Sequence, residues 1–197
     1  MKMISSIPTE KFESEFLKSE WYKPFYSSVR DQLNKIVLEP NLEDSNENAV
    51  RKYLLWQWRE PLLKWLPNNI TWHLVRVDLN EFSDLFVIKE PQWEKTFGSQ
   101  KTLKKVAQAI INGYPDKGAG IKIIQDIKKR IGSYPFIEKL ILISTSIDTP
   151  STVIEGNHRA IAFQLKALEN GNTSHIPKKL ILGTSPHMLN CPWLNTK

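Results

Sequence analysis

The sequence predicts a mixed α/β (α+β) fold with a helical extension before it. Apolar side chains recur at helical spacing through roughly the first 66 residues, whereas short apolar runs of strand length begin only after residue 70. Helices alternate with these runs, an order typical of a sheet covered by helices. We therefore expect a helical extension over residues 1–68 and a mixed-sheet domain over residues 69–197.

The composition is that of a folded globular domain. Hydrophobic residues make up 41% of the 197 residues and charged residues 24%, values that allow a packed core. The single cysteine, Cys191, excludes an intramolecular disulfide and is typical of a reducing compartment. The N-terminal residues contain no apolar run of signal-peptide length, and no run reaches the roughly 20 residues of a membrane span. We expect a cytoplasmic protein without membrane contact.

The extension is predicted to be helical from its apolar spacing. Phe12, Phe16 and Leu17 lie at helical spacing, and a second stripe follows over residues 29–37. A further helix is expected after the polar segment 39–48. Because proline lacks an amide donor, we expect the proline at position 61 to kink or split that helix.

The elements of the mixed-sheet domain follow from changes in this spacing. Residues 72–78 alternate as in a strand, and residues 79–82 suit a short helix. Lys89-Glu90-Pro91 suits an extended segment, because the residue before proline avoids the helical region. Amphipathic helices are predicted over residues 103–111 and 121–131.

Three further strands and one helix are predicted near the C-terminus. Residues 140–144 form an apolar run of the buried-strand kind, and residues 152–154 form a second strand after a turn. A helix is expected over residues 158–168 and a last strand over residues 179–182. A short connection therefore joins the second strand to the helix.

That connection reads Glu155-Gly156-Asn157-His158-Arg159 and predicts an anion-binding turn. The first turn of a helix has unpaired amides and about half a positive charge, and Gly156 permits close approach or a positive φ. Arg159 supplies a forked donor for phosphate oxygens, and His158 supplies further hydrogen bonds. Glu155 is placed to act as a base or a Mg²⁺ ligand. A plain helix start capped by Asn157 is the alternative interpretation.

The turn and its flanks resemble the signature of the ParB/sulfiredoxin-like superfamily, and they read Val153-Ile154-Glu155-Gly156-Asn157-His158-Arg159-Ala160-Ile161-Ala162. In that superfamily a strand ends in an acidic residue or glycine, and Gly-x-His/Arg-Arg then opens a helix. The resemblance covers about residues 72–184. Lys89-Glu90-Pro91 lies where the superfamily has an Asn-Pro-like segment, and Pro135-Phe136-Ile137 belongs to a matching helix-Gly-Pro-Ile-strand passage.

The resemblance implies binding of nucleotide phosphate at the turn. The superfamily includes ATP-using sulfinic acid reductases, CTP-dependent chromosome partition clamps, free serine kinases, and nucleases or ATPases. The reductases carry cysteine directly before His-Arg, where this chain has Asn157, so we do not expect that reaction. The clamps carry a helix-turn-helix after this module, and the roughly 30 residues after the helix leave no room for one.

The free serine kinases resemble this chain in their acidic residues. They use one acidic residue before the turn, which matches Glu155, and a glutamate from the early extended segment, for which Glu90 is the nearest candidate and Glu81 a competitor. We therefore predict a nucleotide-binding enzyme, either an NTP hydrolase or a small-molecule phosphotransferase, using ATP or CTP with Mg²⁺. The predicted catalytic residues are Glu155, His158 and Glu90, with Glu155 also the Mg²⁺ ligand. The predicted phosphate-binding residues are Gly156, Asn157, His158, Arg159 and Lys89.

A nucleic-acid-binding protein or nuclease is the first alternative. Residues 101–139 carry nine basic and three acidic residues, and a basic surface attracts the phosphates of DNA or RNA. The candidate contacts are Lys101, Lys104, Lys105, Lys128, Lys129 and Arg130. An ordinary solvated helix surface explains the same charges.

A protein-interaction or inhibitor role is the second alternative, of the kind that plasmid and phage proteins fulfil with this fold. Trp56, Trp58 and Trp65 crowd the N-terminal helices, and large aromatic side chains are common in cores and interfaces. Other chemistries lack their motifs. The four histidines show no metal-ligand spacing, and no Gly-x-x-x-x-Gly-Lys-Ser/Thr loop occurs.

Overall fold

The computed structural model describes residues 1–132, 139–171 and 173–195. Within these ranges the chain forms five strands and eight α-helices. The strands are β1 (Lys2–Ile7), β2 (Thr71–Arg76), β3 (Ile141–Ser144), β4 (Thr152–Glu155) and β5 (Lys179–Thr184). The helices are α1 (Thr9–Glu20), α2 (Arg30–Leu38), α3 (Ser45–Leu63), α4 (Leu79–Ser83), α5 (Pro91–Phe97), α6 (Leu103–Ile111), α7 (Ile121–Arg130) and α8 (Asn157–Asn170). The predicted Pro135-Phe136-Ile137 passage lies outside the described residues.

The strands form one mixed sheet in the order β1-β2-β5-β3-β4. β1 and β5 both pair antiparallel to β2, β3 runs parallel to β5, and β4 pairs antiparallel to β3. The predicted mixed α/β class is confirmed at this level. Of the helices in the described ranges, none combines the length and the apolar character needed to cross a membrane.

Both faces of the sheet are buried. In β3, Ile141 and Ile143 belong to the apolar cluster on one face and Leu142 to the cluster on the other, and all three are fully buried. Alternate side chains of a strand point to opposite faces. Two helical layers are therefore needed to cover the sheet.

The N-terminal helices form the layer on the face of Ile141. α1 packs against α3, and the ring of Phe12 on α1 stacks on Trp72 of β2 with centroids 3.7 Å apart and planes 8° apart. α3 continues through Pro61 to Leu63, so of the expected kink or split the split does not occur. The helical part of the predicted extension therefore shares its core with the sheet.

The first strand corrects the prediction that residues 1–68 form only a helical extension. Residues 2–7 pair with β2, with Lys2 opposite Arg76 and Ile7 opposite Trp72. The side chains of β1 are mostly exposed, so the strand is defined by its backbone pairing. A strand with neither face buried leaves no alternation of apolar residues in the sequence.

The second layer contains α6, α7 and α8, and α8 packs against both of the others. The helix predicted over residues 103–111 is confirmed with the same bounds, and those predicted over residues 79–82, 121–131 and 158–168 are confirmed with shifts of one or two residues at their ends. Phe86 pairs with the outer edge of β4, where its amide donates to the Ser151 carbonyl over 2.9 Å and its carbonyl accepts from the Val153 amide over 2.8 Å. The predicted extended segment therefore runs beside the turn that follows β4.

Replacement of Phe12 by alanine should destabilise the protein. The side chain is only 4% exposed, and removal of a buried phenylalanine costs about 3 kcal/mol or more. We expect a decrease of that size in the free energy of unfolding, measured by urea denaturation. Tyr53→Ala is the matched control, because its side chain is 68% exposed, and an equal loss in both variants would contradict the shared core.

Candidate functional site

The predicted turn joins β4 to α8 through a glycine with a left-handed backbone. Gly156 has φ 92° and ψ 21° and immediately precedes α8. A Cβ atom at this position would lie 2.4 Å from Cδ2 of Leu140 and 3.1 Å from Nη2 of Arg159. Both the backbone angle and the contacts therefore require glycine. The N-cap residue is Gly156 itself, which has no side chain to cap the first turn of α8.

A cleft of about 410 Å³ opens in front of this turn. Its wall contains all five residues of the predicted turn, together with Glu90 from the extended segment. The opposite part of the wall comes from the first helical layer and contains Ser19, Lys23 and Arg59. The cleft therefore lies between the two helical layers, at the end of β4.

Glu155 is held inside the cleft by two donors. The Ser19 hydroxyl lies 3.0 Å from Oε1 of Glu155 and 2.8 Å from the Phe16 carbonyl oxygen, so its single proton is shared between these two acceptors. Nη2 of Arg159 lies 3.4 Å from the same carboxylate oxygen. The side chains of Glu155 and Arg159 are 17% and 12% exposed. Among the described residues there is no group of three or more His, Cys, Asp or Glu side chains able to hold a metal ion. The predicted role of Glu155 as a Mg²⁺ ligand stays a prediction.

The side chain of Asn157 makes hydrogen bonds within the protein, whereas the sequence predicts that it binds phosphate. Its Oδ1 accepts from the Ile88 amide over 3.0 Å, and its Nδ2 donates to the Val153 carbonyl over 3.0 Å. The side chain is buried and its carboxamide joins the extended segment to β4, so only the backbone amide of Asn157 is left to face an anion. The single thiol, Cys191, is buried in the apolar cluster of the first layer and does not line the cleft.

His158 is oriented by the loop before α7. Its Nε2 lies 2.9 Å from the Ala119 carbonyl oxygen, and because a carbonyl only accepts, Nε2 carries the proton and Nδ1 carries the lone pair. Burial lowers the pKa of His158 below its ordinary value. A neutral ring with a free lone pair suits the predicted catalytic role of His158 better than its predicted role as a phosphate donor.

Glu90 lies in the same cleft as Glu155, as the sequence predicts. Burial raises the pKa of Glu90 above its ordinary value; Arg59 offsets part of this effect, and the Glu155 carboxylate adds to it. The Gln92 side chain donates to Oε2 of Glu90 over 2.8 Å. Glu81, the competing candidate, instead caps α4 through a hydrogen bond to the Asp78 amide.

Lys89 is not among the residues that line the cleft, and its predicted contact with phosphate stays a prediction. Ile88 and Glu90 line the cleft, and the exposed Lys89 between them does not. The Glu90 amide donates to the Ile88 carbonyl over 3.1 Å, so the backbone makes a tight turn at Lys89 and directs its side chain away from the cleft. The Lys89 amide donates to the Trp193 carbonyl over 3.2 Å, which fixes this orientation.

The six predicted nucleic-acid contacts do not form one cluster. Lys101, Lys104 and Lys105 lie at the start of α6, and Lys128, Lys129 and Arg130 lie at the end of α7. Lys104 and Lys105 line a separate cavity of about 850 Å³. Lys128 is bound to Glu169 over 2.7 Å, and Lys129 lies 3.4 Å from Asp126. Because carboxylates neutralise part of the α7 group, this arrangement does not favour a continuous track for nucleic acid.

Exposed aromatic residues of the first layer border an apolar groove that is separate from the cleft. Trp58 is 45% exposed and stacks on Phe25 with centroids 4.6 Å apart. A groove of about 650 Å³ lies beside them, between α2 and α3. Trp65 is 50% exposed. The protein-interaction hypothesis for these helices stays a prediction.

Sequence reasoning missed the cations on the far wall of the cleft. Lys23 and Arg59 both contact Glu20, whose side chain is completely buried. Ser19 and Glu155, which meet in the same cleft, are 136 residues apart in the chain. The Glu20–Lys23 spacing is the one local signal, and it is also ordinary for a helix end. Nothing in the sequence connects these residues to the turn.

Comparisons with protein-family models, curated proteins and solved structures give no match for this chain.

Replacement of Asn157 by alanine should destabilise the turn. The change leaves the buried Ile88 amide without its acceptor and the Val153 carbonyl without the carboxamide donor, and an unpaired buried polar group costs about 1–3 kcal/mol. We expect a loss of that size in the free energy of unfolding, measured by urea denaturation. Asn190→Ala at an exposed position is the control; unchanged stability of Asn157→Ala would show that the bridge contributes nothing.

Proposed function

We propose that this chain is a nucleotide-binding enzyme with a ParB/sulfiredoxin-like domain, acting as an NTP hydrolase or a small-molecule phosphotransferase. One observation carries the proposal. The glycine turn before α8, the carboxylates Glu90 and Glu155, and the cations Lys23, Arg59 and Arg159 all line one cleft. Positioning and charge stabilisation are the main requirements of phosphoryl transfer.

The phosphate chain would lie against the start of α8. The backbone amides of that first turn and the partial positive charge of the helix N-terminus attract anions. The Arg159 guanidinium adds a formal charge close to the same place, and its contact with Oε1 of Glu155 positions it there. Glu155 therefore acts first as the residue that orients Arg159.

Glu90 is the proposed general base. It would accept the proton of the attacking hydroxyl or water as the new P–O bond forms and the nucleoside diphosphate leaves. The raised pKa of Glu90 is closer to neutral pH than the pKa of an ordinary glutamate. A general base works best when its pKa is near the working pH, because it is then largely ionised and still binds a proton well. Bound Mg²⁺ would neutralise negative charge on the phosphates.

Replacement of Arg159 by alanine should weaken nucleotide binding. Loss of a charge-assisted hydrogen bond to phosphate corresponds to about a tenfold increase in Kd. Calorimetric titration with ATP and with CTP, each with Mg²⁺, measures the effect. Arg159→Lys keeps the charge and should retain part of the affinity, and equal affinity of the wild type and Arg159→Ala would refute the proposed phosphate site.

Replacement of Glu90 by glutamine should reduce NTP turnover by about 100-fold or more, the usual contribution of a general base. In the wild type, kcat/KM should fall as the pH falls through the raised pKa of Glu90, because the protonated carboxyl cannot accept a proton. Release of phosphate from ATP and CTP across a pH series checks both results. Glu94→Gln, at an exposed position on α5, is the control. A Glu90→Gln variant that keeps the wild-type acidic limb would contradict the assignment.

A further inference from the structure

A completely buried carboxylate lies behind the wall of the cleft that faces the turn. Glu20, the last residue of α1, has no exposed side-chain surface. Its Oε1 accepts from Nζ of Lys23 over 2.7 Å, and its Oε2 accepts from Nε of Arg59 over 2.8 Å and also from Nη2 of Arg59. One carboxylate thus holds two cations from different parts of the first helical layer.

The two cations keep donors for a further partner. A guanidinium has five N–H groups and an ammonium has three, and the contacts with Glu20 use two and one of them. The side chains of Lys23 and Arg59 are 42% and 29% exposed, and both line the cleft. Glu20, Lys23 and Arg59 taken together carry one net positive charge, and both cations of this group line the cleft.

The charges of these two cations act on two of the predicted catalytic residues. Both Lys23 and Arg59 lower the pKa of Glu90, and Lys23 also lowers that of His158. Each of these effects requires the charges to lie near one another. Lys23, Arg59, Glu90 and the turn also line the same cleft, and the two cations are contributed by the first helical layer.

A purely structural role explains only part of this arrangement. The forked contact with Arg59 is sufficient to pair the buried Glu20 and to tie α1 to α3. The bond from Lys23 adds little stability, because a partly exposed lysine loses side-chain entropy and remains hydrated. Its place in the cleft wall is explained if it binds a ligand.

We propose that Lys23 and Arg59 form a second phosphate-binding element opposite the α8 turn, and that Glu20 is the positioning residue that holds both cations there. The proposal rests on the proposed function and extends it. The ligand class is a polyphosphate, whose charges are spread along a chain and are therefore bound from both sides of the cleft. The N-terminal helices would then form half of the nucleotide site.

The test compares Lys23→Ala, Glu20→Gln and Lys64→Ala by calorimetric titration with ATP and with inorganic tripolyphosphate. Lys64 lies directly after α3, pairs with the exposed Glu60 and is outside the cleft, so it controls for loss of one charge. Lys23→Ala should increase both Kd values about tenfold, and Lys64→Ala should change neither by more than about twofold. Lys23→Arg should restore most of the affinity.

The positioning role of Glu20 has its own readout. Glu20→Gln keeps the shape of the side chain and removes its charge, and it should increase Kd for tripolyphosphate about threefold or more. In the Lys23→Ala background the same change should have a smaller effect, because Glu20 then acts through Arg59 alone. A merely structural Glu20 would give the same effect in both backgrounds.

The outcomes separate the two proposals. If Arg159→Ala weakens ATP binding but Lys23→Ala and Glu20→Gln leave it within about twofold, the second phosphate-binding element is refuted and the proposed function stands. If neither ATP nor tripolyphosphate binds the wild type, both are refuted. If Glu20→Gln does not fold, Lys23→Ala decides the question, because its side chain is partly exposed and its removal leaves the Arg59 pair in place.

Discussion

The burial of both faces of the sheet determines the rest of this architecture. β3 and β5 carry apolar side chains on both sides, and exposure of either face would cost roughly 25 cal/mol for each Å² of apolar surface. The α6–α8 layer covers one face, and the N-terminal helices must cover the other. The cleft lies between these layers at the end of β4. The turn there leads into the α6–α8 layer, whereas Ser19, Lys23 and Arg59 of the cleft wall belong to the N-terminal helices.

This arrangement explains the charge balance of the cleft. Carboxylates and cations alternate across it, with Glu155 beside Arg159 and Glu20 beside Lys23 and Arg59. Such pairs balance the charges of buried and partly buried groups without a ligand. They also hold the guanidinium and ammonium groups in fixed positions before an anion arrives, which lowers the entropy lost on binding.

The sequence predicts much of the fold because the apolar spacing in the sheet and its nearest helices is strong. It also predicts that Glu90 and Glu155 share a site, through the resemblance of the turn and its preceding segment. Lys89 does not line the cleft, because the backbone turns at this residue, a feature that the residue type does not reveal. Asn157 was misread because its partners, Ile88 and Val153, are backbone groups that no side-chain pattern reveals. The sequence does not indicate Lys23 and Arg59 as site residues, because they belong to a helical layer that packs on strands far from it in the sequence.

The two edges of the sheet are protected in different ways. The outer edge of β4 is covered by Phe86, whose backbone pairs with Ser151 and Val153. Within the described residues, no strand pairs with the outer edge of β1, and an open edge is a template for pairing between molecules. The register shift between Met3 and Ser5 interrupts the regular pairing of β1 and twists the strand, and Lys2 adds charge there. This irregularity opposes edge-to-edge association, so a deletion that straightened β1 would favour aggregation at high protein concentration.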